Sequence, residues 1–172
     1  MVYARRPGQS QADYADTGWE DEIRVVLGEH VIDDSKKNDR LDFWVPGFYL
    51  ECKEKRQPLT TRWHLLPGVP EENLFVLDEL SVRRAMRHGY EVFYAIKDRP
   101  TGRTFLAAQH ELIGVDRVRV NRNGKGKWII NLGELRLVDD ISRIPELIRE
   151  ILSATPWKRS DCISLGAPVP EV

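Results

Sequence analysis

Residues 41–56 read LDFWVPGFYLECKEKR, and the rest of the chain is best understood outward from them. Pro46-Gly47 is a turn signal between two runs rich in aromatic and β-forming residues, so the stretch is expected to be a β-hairpin. With Pro46 and Gly47 as the central turn residues, Val45 pairs with Phe48, Trp44 with Tyr49, Phe43 with Leu50, and Asp42 with Glu51. Side chains alternate across a strand, so Glu51 and Lys53 share one face while Leu50 and Cys52 share the other. A symmetric loop keeps the two acids opposite each other; an asymmetric one separates them.

Directly opposed residues of an antiparallel pair have Cβ atoms roughly 4.5–5.5 Å apart, and like charges placed there destabilise the sheet unless something offsets them. A divalent cation would do so. Mg²⁺, or Mn²⁺ in its place, is a hard ion that takes one or two carboxylates and fills its other positions with water and substrate phosphate. Such an ion polarises a phosphoryl oxygen and makes hydroxide available for in-line attack. Lys53, an ammonium on the same face, can orient the attacking water or stabilise charge growing on the phosphate. Asp42, Glu51 and Lys53 are therefore the candidate catalytic residues.

Upstream of the hairpin, Thr17 and Glu20 form a capping-box pattern, and Trp19, Ile23, Val26 and Leu27 make an apolar stripe at helical spacing, which predicts a helix over about 18–29. Glu20 lies at the border of that stripe and can look toward the sheet; Glu22 is the neighbouring alternative. His30 to Asp33 predicts a short strand. Downstream, Glu71 to His88 reads as a second long helix ended by Gly89. The runs EVFYAIK, RTFLAA, DRVRV and KWIINL are β-rich, with NRNGKGK as a hairpin tip between the last two. A final helix is expected over about 141–153. This order predicts an α/β domain over 17–155, with a mixed central sheet flanked by helices, between a loose N-terminus (1–16) and a C-terminal tail (156–172).

These residues resemble the PD-(D/E)xK nuclease superfamily, in its Holliday-junction-resolvase and restriction-endonuclease-like branches. The likeness covers about residues 17–97: Asp42 in RLDFWV, Glu51-Cys52-Lys53 in YLECKEKR as the acid-x-Lys triplet, and Glu20 in GWEDEIRVVL as the acid of the first helix. Leu41 stands where the family usually has Pro. The resemblance implies a restriction-endonuclease-like αβββαβ core, here with an added C-terminal hairpin and helix. It also implies a Mg²⁺-dependent phosphodiesterase, usually acting on DNA, with Asp42, Glu51 and Glu20 as metal ligands. An endonuclease on branched or duplex DNA is the expectation, and Holliday-junction resolution would require a homodimer with two sites. The competing expectations are a non-cutting nucleic-acid-binding or assembly module of the same fold and a DNA-end exonuclease.

An acid-x-Lys triplet alone is weak evidence, and Asp34-Ser35-Lys36 repeats it in a polar loop. The bland reading of the hairpin charges is a cross-strand salt bridge on a solvated face. Against it, Phe43, Trp44, Val45, Phe48, Tyr49 and Leu50 make the hairpin apolar on much of both faces. Candidate phosphate contacts are Lys55 and Arg56, directly after the triplet, and Arg83, Arg84 and Arg87 at the end of the second helix, where the helix dipole also favours cations. Arg117, Arg119, Arg122, Lys125 and Lys127 flank the later hairpin tip. Trp63, in the Pro-bounded segment LTTRWHLLPGVP, is a candidate for stacking on an unpaired base.

Among 172 residues, Lys+Arg 26 against Asp+Glu 27 gives a net charge of −1, so any affinity for nucleic acid must come from a local patch. Two cysteines without a partner at ligand spacing, and histidines without HxH or HExxH spacing, argue against zinc and disulfides. No run is long and apolar enough for a membrane span, and the first residues lack the apolar core of a secretory signal, so a cytoplasmic protein is expected.

Overall fold

The computed structural model describes residues 18–29, 31–33, 41–59 and 63–154. Thr17, the Asp34-Ser35-Lys36 triplet and both expected tails lie outside them. The first helix, α1, runs Trp19–Leu27, with Gly18 rather than a side chain at its N-cap. Trp19 and Ile23, one turn apart, are buried, and Glu20, Asp21 and Glu22 place negative charge in the first turn, where the helix dipole favours it.

A short strand β1 (Ile32–Asp33) leads to the hairpin of β2 (Phe43–Val45) and β3 (Phe48–Lys55). Its register is the expected one: Val45 opposes Phe48, Trp44 opposes Tyr49 and Phe43 opposes Leu50. Gly47 takes φ 105°, a conformation open to glycine, as the tight turn requires. β3 then pairs in parallel with β5 (Val92–Asp98), Glu51 against Tyr94 and Lys53 against Ile96. β6 (Thr104–Ala108) and β9 (Arg136–Leu137) complete a mixed six-stranded sheet in the order β1-β2-β3-β5-β6-β9.

The expected second long helix is not one element. Glu71–Asn73 is a 3₁₀ turn, Leu74–Asp78 is a strand (β4), and only Glu79–Ala85 is α-helix (α2), followed by a 3₁₀ segment, Met86–Glu91, that kinks at Gly89. Leu74 to Leu77 are consecutive apolar residues, which suits a strand covered on both faces as well as it suits a helix stripe. Antiparallel pairing of β4 with β8 (Lys125–Asn131) decides the matter, and Asp78 then caps α2 by accepting the Leu80 N–H at 3.1 Å.

β8 also pairs with β7 (Arg117–Arg122), giving a second sheet of three strands in the order β4-β8-β7. The hairpin tip falls where expected, at Asn123-Gly124, both with positive φ as a two-residue primed turn demands. A short helix α3 (Gln109–Gly114) has no counterpart in the sequence expectations; α4 (Ile144–Ala154) is the final helix, after a 3₁₀ turn at Ile141–Arg143.

The main sheet is covered on both faces. Leu50, Cys52, Phe93 and Ala95 meet Trp19 and Ile23 of α1 and Ile144, Ile148 and Ile151 of α4. On the other face, Val92, Tyr94 and Ile96 meet Val82 and Ala85 of α2, Leu112 of α3, and Leu77 and Ile130 of the second sheet. This is the expected mixed α/β architecture, with helix, three strands, helix and strand in the expected order and β4 inserted before the second helix. No helix among the described residues is long and apolar enough to cross a membrane.

Candidate active site at the end of the first hairpin

β2 begins only at Phe43, so the strand-pairing edge of β3 beyond Leu50 is taken over by a side chain. The backbone N–H of Cys52 donates to Asp42 Oδ2 at 2.6 Å, which satisfies a donor that would otherwise lack a ladder partner. Asp42 thereby lies against the strand that carries Glu51 and Lys53. Alternation turns those two side chains toward α2, away from Cys52.

Glu51 is only 6% exposed, which rules out a solvated-face salt bridge. Its Oε1 accepts hydrogen bonds from Lys53 Nζ and, at 2.7 Å, from Ser81 Oγ on α2. Its Oε2 is buried with no hydrogen-bond partner among the described residues. Across the parallel pair, the hydroxyl of fully buried Tyr94 is likewise without a partner. Burial, and then the charge of Glu51, push the Tyr94 hydroxyl well above its ordinary value, so it stays protonated.

The electrostatics are those of two acids that repel each other beside one ammonium. Burial, and next the neighbouring charge of Glu51, push Asp42 up to about 7; Lys53 and the Cys52 N–H pull the other way, and Glu20 adds to the rise. For Lys53, burial disfavours the charge, but Glu51 and Asp42 together outweigh it and hold the ammonium protonated. A divalent cation fits this donor set on two counts: it would neutralise the mutual repulsion of the two acids, and the orphaned Glu51 Oε2 supplies a lone pair that nothing else uses. Asp42 and Glu51 are the residues that could hold it.

Glu20 relates to the pair differently. α1 lies on the Cys52 side of the sheet, so Glu20 acts on Asp42 through its charge and lines an open groove with Cys52 and Lys53. Among the described residues no three His, Cys, Asp or Glu side chains gather as a ready-made metal cage. The adjacent acids are occupied elsewhere: Asp21 pairs with Arg24, and Glu22 lies 3.6 Å from Arg99. Of the three, Glu20 is therefore the one facing the site.

The basic candidates divide. Lys55 is 4% exposed; its Nζ donates to the carbonyl of Glu72 at 2.9 Å and faces the buried Asp98 at 3.8 Å. Both faces of β3 are covered here, so Lys55, on the face of Glu51 and Lys53, is buried as Cys52 is on the other face, and its ammonium is turned away from a substrate backbone. Arg56 pairs with Glu54 at 2.9 Å, and Arg83 with Glu79 at 2.9 Å. Arg84 is half-buried and Arg87 exposed. On the later hairpin, Arg119 binds Glu79 and Lys127 binds Asp78, each at 2.8 Å.

Sequence reasoning missed Ser81 and Tyr94. Neither sits in a motif; each becomes part of the site only because α2 and β5 are brought against β3.

An α/β domain whose sheet edge gathers two interacting acids and an ammonium is the class that fold and site define. No family model matches the chain, and no curated protein matches it. Among solved structures, a nuclease from a fusselovirus is similar at 8% identity and a TM-score of 0.46, over 72% of this chain and 77% of that one. At that distance nothing about the activity of this chain follows from it.

Proposed function

We propose that the protein is a metal-dependent nuclease of the PD-(D/E)xK type that hydrolyses phosphodiester bonds in DNA, as an endonuclease on branched or duplex substrates. The observation that carries this reading is the acidic pair: Asp42 raised to about 7 beside a buried Glu51 whose Oε2 has no partner, with Lys53 on the same face. A purely structural cluster gains nothing from a half-buried acid set against a buried one, whereas a cation-binding site uses both.

Bound Mg²⁺ or Mn²⁺ would supply Lewis-acid polarisation of the phosphate and a water of lowered pKa. Asp42 and Glu51 would hold the ion, and the Ser81 hydroxyl orients the Glu51 carboxylate. The Lys53 ammonium orients the attacking water or balances charge developing on the phosphate. Glu20, on the groove side, is suited to position water or complete the ligand set through a water.

The test is cleavage of linear, nicked, single-stranded and four-way DNA in Mg²⁺, beside Asp42→Ala and Lys53→Ala. Loss of cleavage in both variants is the expected result; equal activity in variants and parent removes the site assignment. The ion pair that draws Lys53 onto Glu51 favours a second reading, a module of the same fold that binds without cutting. Tight binding with no cleavage and no calorimetric Mg²⁺ signal would select it.

A further inference from the structure

The groove that Glu20 and Lys53 line opens beside the acidic pair, whose own side chains are not part of its wall. It continues along Arg56 and Gln57 to Trp63, Phe75 and Lys127, joining the main sheet to the second one, with a volume of about 570 Å³. Four of its lining side chains are cationic (Lys53, Lys55, Arg56, Lys127) and two acidic (Glu20, Glu54); Lys53, Arg56 and Lys127 pair with Glu51, Glu54 and Asp78, partners that a phosphate would share or replace. Lys55 is turned inward, but the other three cations follow the length of the groove. Trp63 is half-buried in the wall, its ring under the Arg122 guanidinium at 5.3 Å.

From this arrangement we infer that the groove takes an unpaired polynucleotide strand and delivers it to the acidic pair, with Trp63 stacking on a base and Lys53, Arg56 and Lys127 following the backbone. The inference rests on the nuclease reading of the site and adds the form in which the substrate enters it.

The physical argument is one of shape and chemistry together. Single strands are bound by a cationic groove that tracks phosphates and by aromatic side chains that stack on bases without reading sequence. A cavity of a few hundred Å³ encloses something the size of a small molecule, and so a nucleotide or two rather than a duplex. Duplex DNA is instead met by protein elements that project into its grooves. A site beside such a recess is reached by a strand that has left the stack, as at an overhang, a flap or the open centre of a branch.

The test is fluorescence anisotropy with the full chain in metal-free buffer, so that no cleavage is needed for a signal. The probes are labelled single-stranded DNA, RNA of the same sequence, and blunt duplex DNA; the two single strands show which sugar the groove accepts. Trp63→Ala and Trp63→Leu are expected to weaken binding of the preferred single strand roughly tenfold or more, while Trp63→Phe retains most of it, and blunt-duplex binding is unchanged in all three. Trp63→Leu keeps apolar bulk without a π-face, so parent-like single-strand binding by Trp63→Leu overturns the stacking role. Equal affinity of the parent for single strand and blunt duplex overturns the proposal as well.

The two readings fail separately. Trp63-dependent single-strand binding without any Mg²⁺-dependent cleavage would leave the groove standing and remove the nuclease assignment. Cleavage of blunt duplex at parent rates by Trp63→Ala would do the reverse.

Discussion

The Asp42 carboxylate accepts the backbone N–H of Cys52 at 2.6 Å, a side chain serving where a neighbouring strand would otherwise pair. This bond anchors the acid between Glu51 on one side of the sheet and Glu20 on the other, and the raised pKa follows from that placement. Once both acids are held there, their repulsion is built into the folded state, so pH must act on stability, and under the proposed function a metal ion as well.

In the absence of metal, stability should fall as pH rises from about 4 to about 7. Asp42 titrates near its ordinary 3.8 when unfolded and near 7 when folded. Between those values the folded state holds a proton the unfolded state has released, so the slope of unfolding free energy with pH is negative. At about 1.4 kcal/mol per pK unit the whole effect is on the order of 4 kcal/mol. Asp42→Asn keeps an acceptor for the Cys52 N–H and removes the charge. Urea unfolding at about pH 5 and about pH 8 should therefore find this variant more stable than the parent at the higher pH, though inactive. The same pH slope in both proteins would contradict the coupling.

Mg²⁺ should stabilise the protein more at alkaline than at acidic pH, because a proton on Asp42 competes with the ion. Thermal melts with and without about a hundredfold excess over the dissociation constant should differ by roughly 2–3 kcal/mol of stability at about pH 8 and by much less at about pH 5. Asp42→Asn should abolish most of the gain. Equal metal stabilisation at both pH values would exclude these two acids as ligands.

Lys53→Ala should lower kcat by roughly a hundredfold or more with a smaller effect on KM, as expected for a group that acts on charge developing in the transition state. Lys53→Arg should recover only part of this, since a planar guanidinium does not reproduce the position of a compact ammonium. Single-turnover cleavage at saturating Mg²⁺ measures both; a change confined to KM would make Lys53 a binding residue only.

Ser81→Ala should weaken Mg²⁺ binding by roughly tenfold while leaving the fold intact, because its hydroxyl holds one oxygen of Glu51 at 2.7 Å. Calorimetric titration with the metal reads this directly, and Ser81→Thr should restore it. Unchanged affinity in Ser81→Ala would show that Glu51 is oriented by other contacts.

Lys55→Ala should cost stability, on the order of 1–3 kcal/mol, because it leaves the fully buried Asp98 with Arg103, 3.3 Å away, as its remaining cation. Its effect on DNA affinity should be small after correction for unfolded protein. Denaturant melts and anisotropy on the same samples separate the two; undiminished stability with weaker, salt-dependent binding would reinstate Lys55 as a phosphate contact.

Much of the hairpin was legible because its determinants are local. A two-residue Pro46-Gly47 turn sets the register, and period-two alternation then assigns faces, which together predicted Val45 against Phe48 and Phe43 against Leu50. The segment from Glu71 to His88 was not legible, because Leu74 to Leu77 satisfy a helical stripe and a strand equally well. The choice was made by β8, more than fifty residues downstream, whose Asn131 to Lys127 supply the hydrogen bonds. The burial of Lys55 was not legible for a related reason: it is imposed by Asp98 and the turn at Glu71–Glu72, neither of which its own strand announces.

The amino-acid sequence by itself determined that an acid, a second acid and an ammonium would meet along one hairpin, since turn geometry and side-chain alternation act over a handful of neighbouring residues. Tertiary structure alone decided what surrounds them: the Ser81 hydroxyl over Glu51, the buried Tyr94 beside it, and the groove reaching Trp63. Those depend on packing between segments remote in the chain, and the field in which Asp42 titrates is created by that burial rather than by the residue itself.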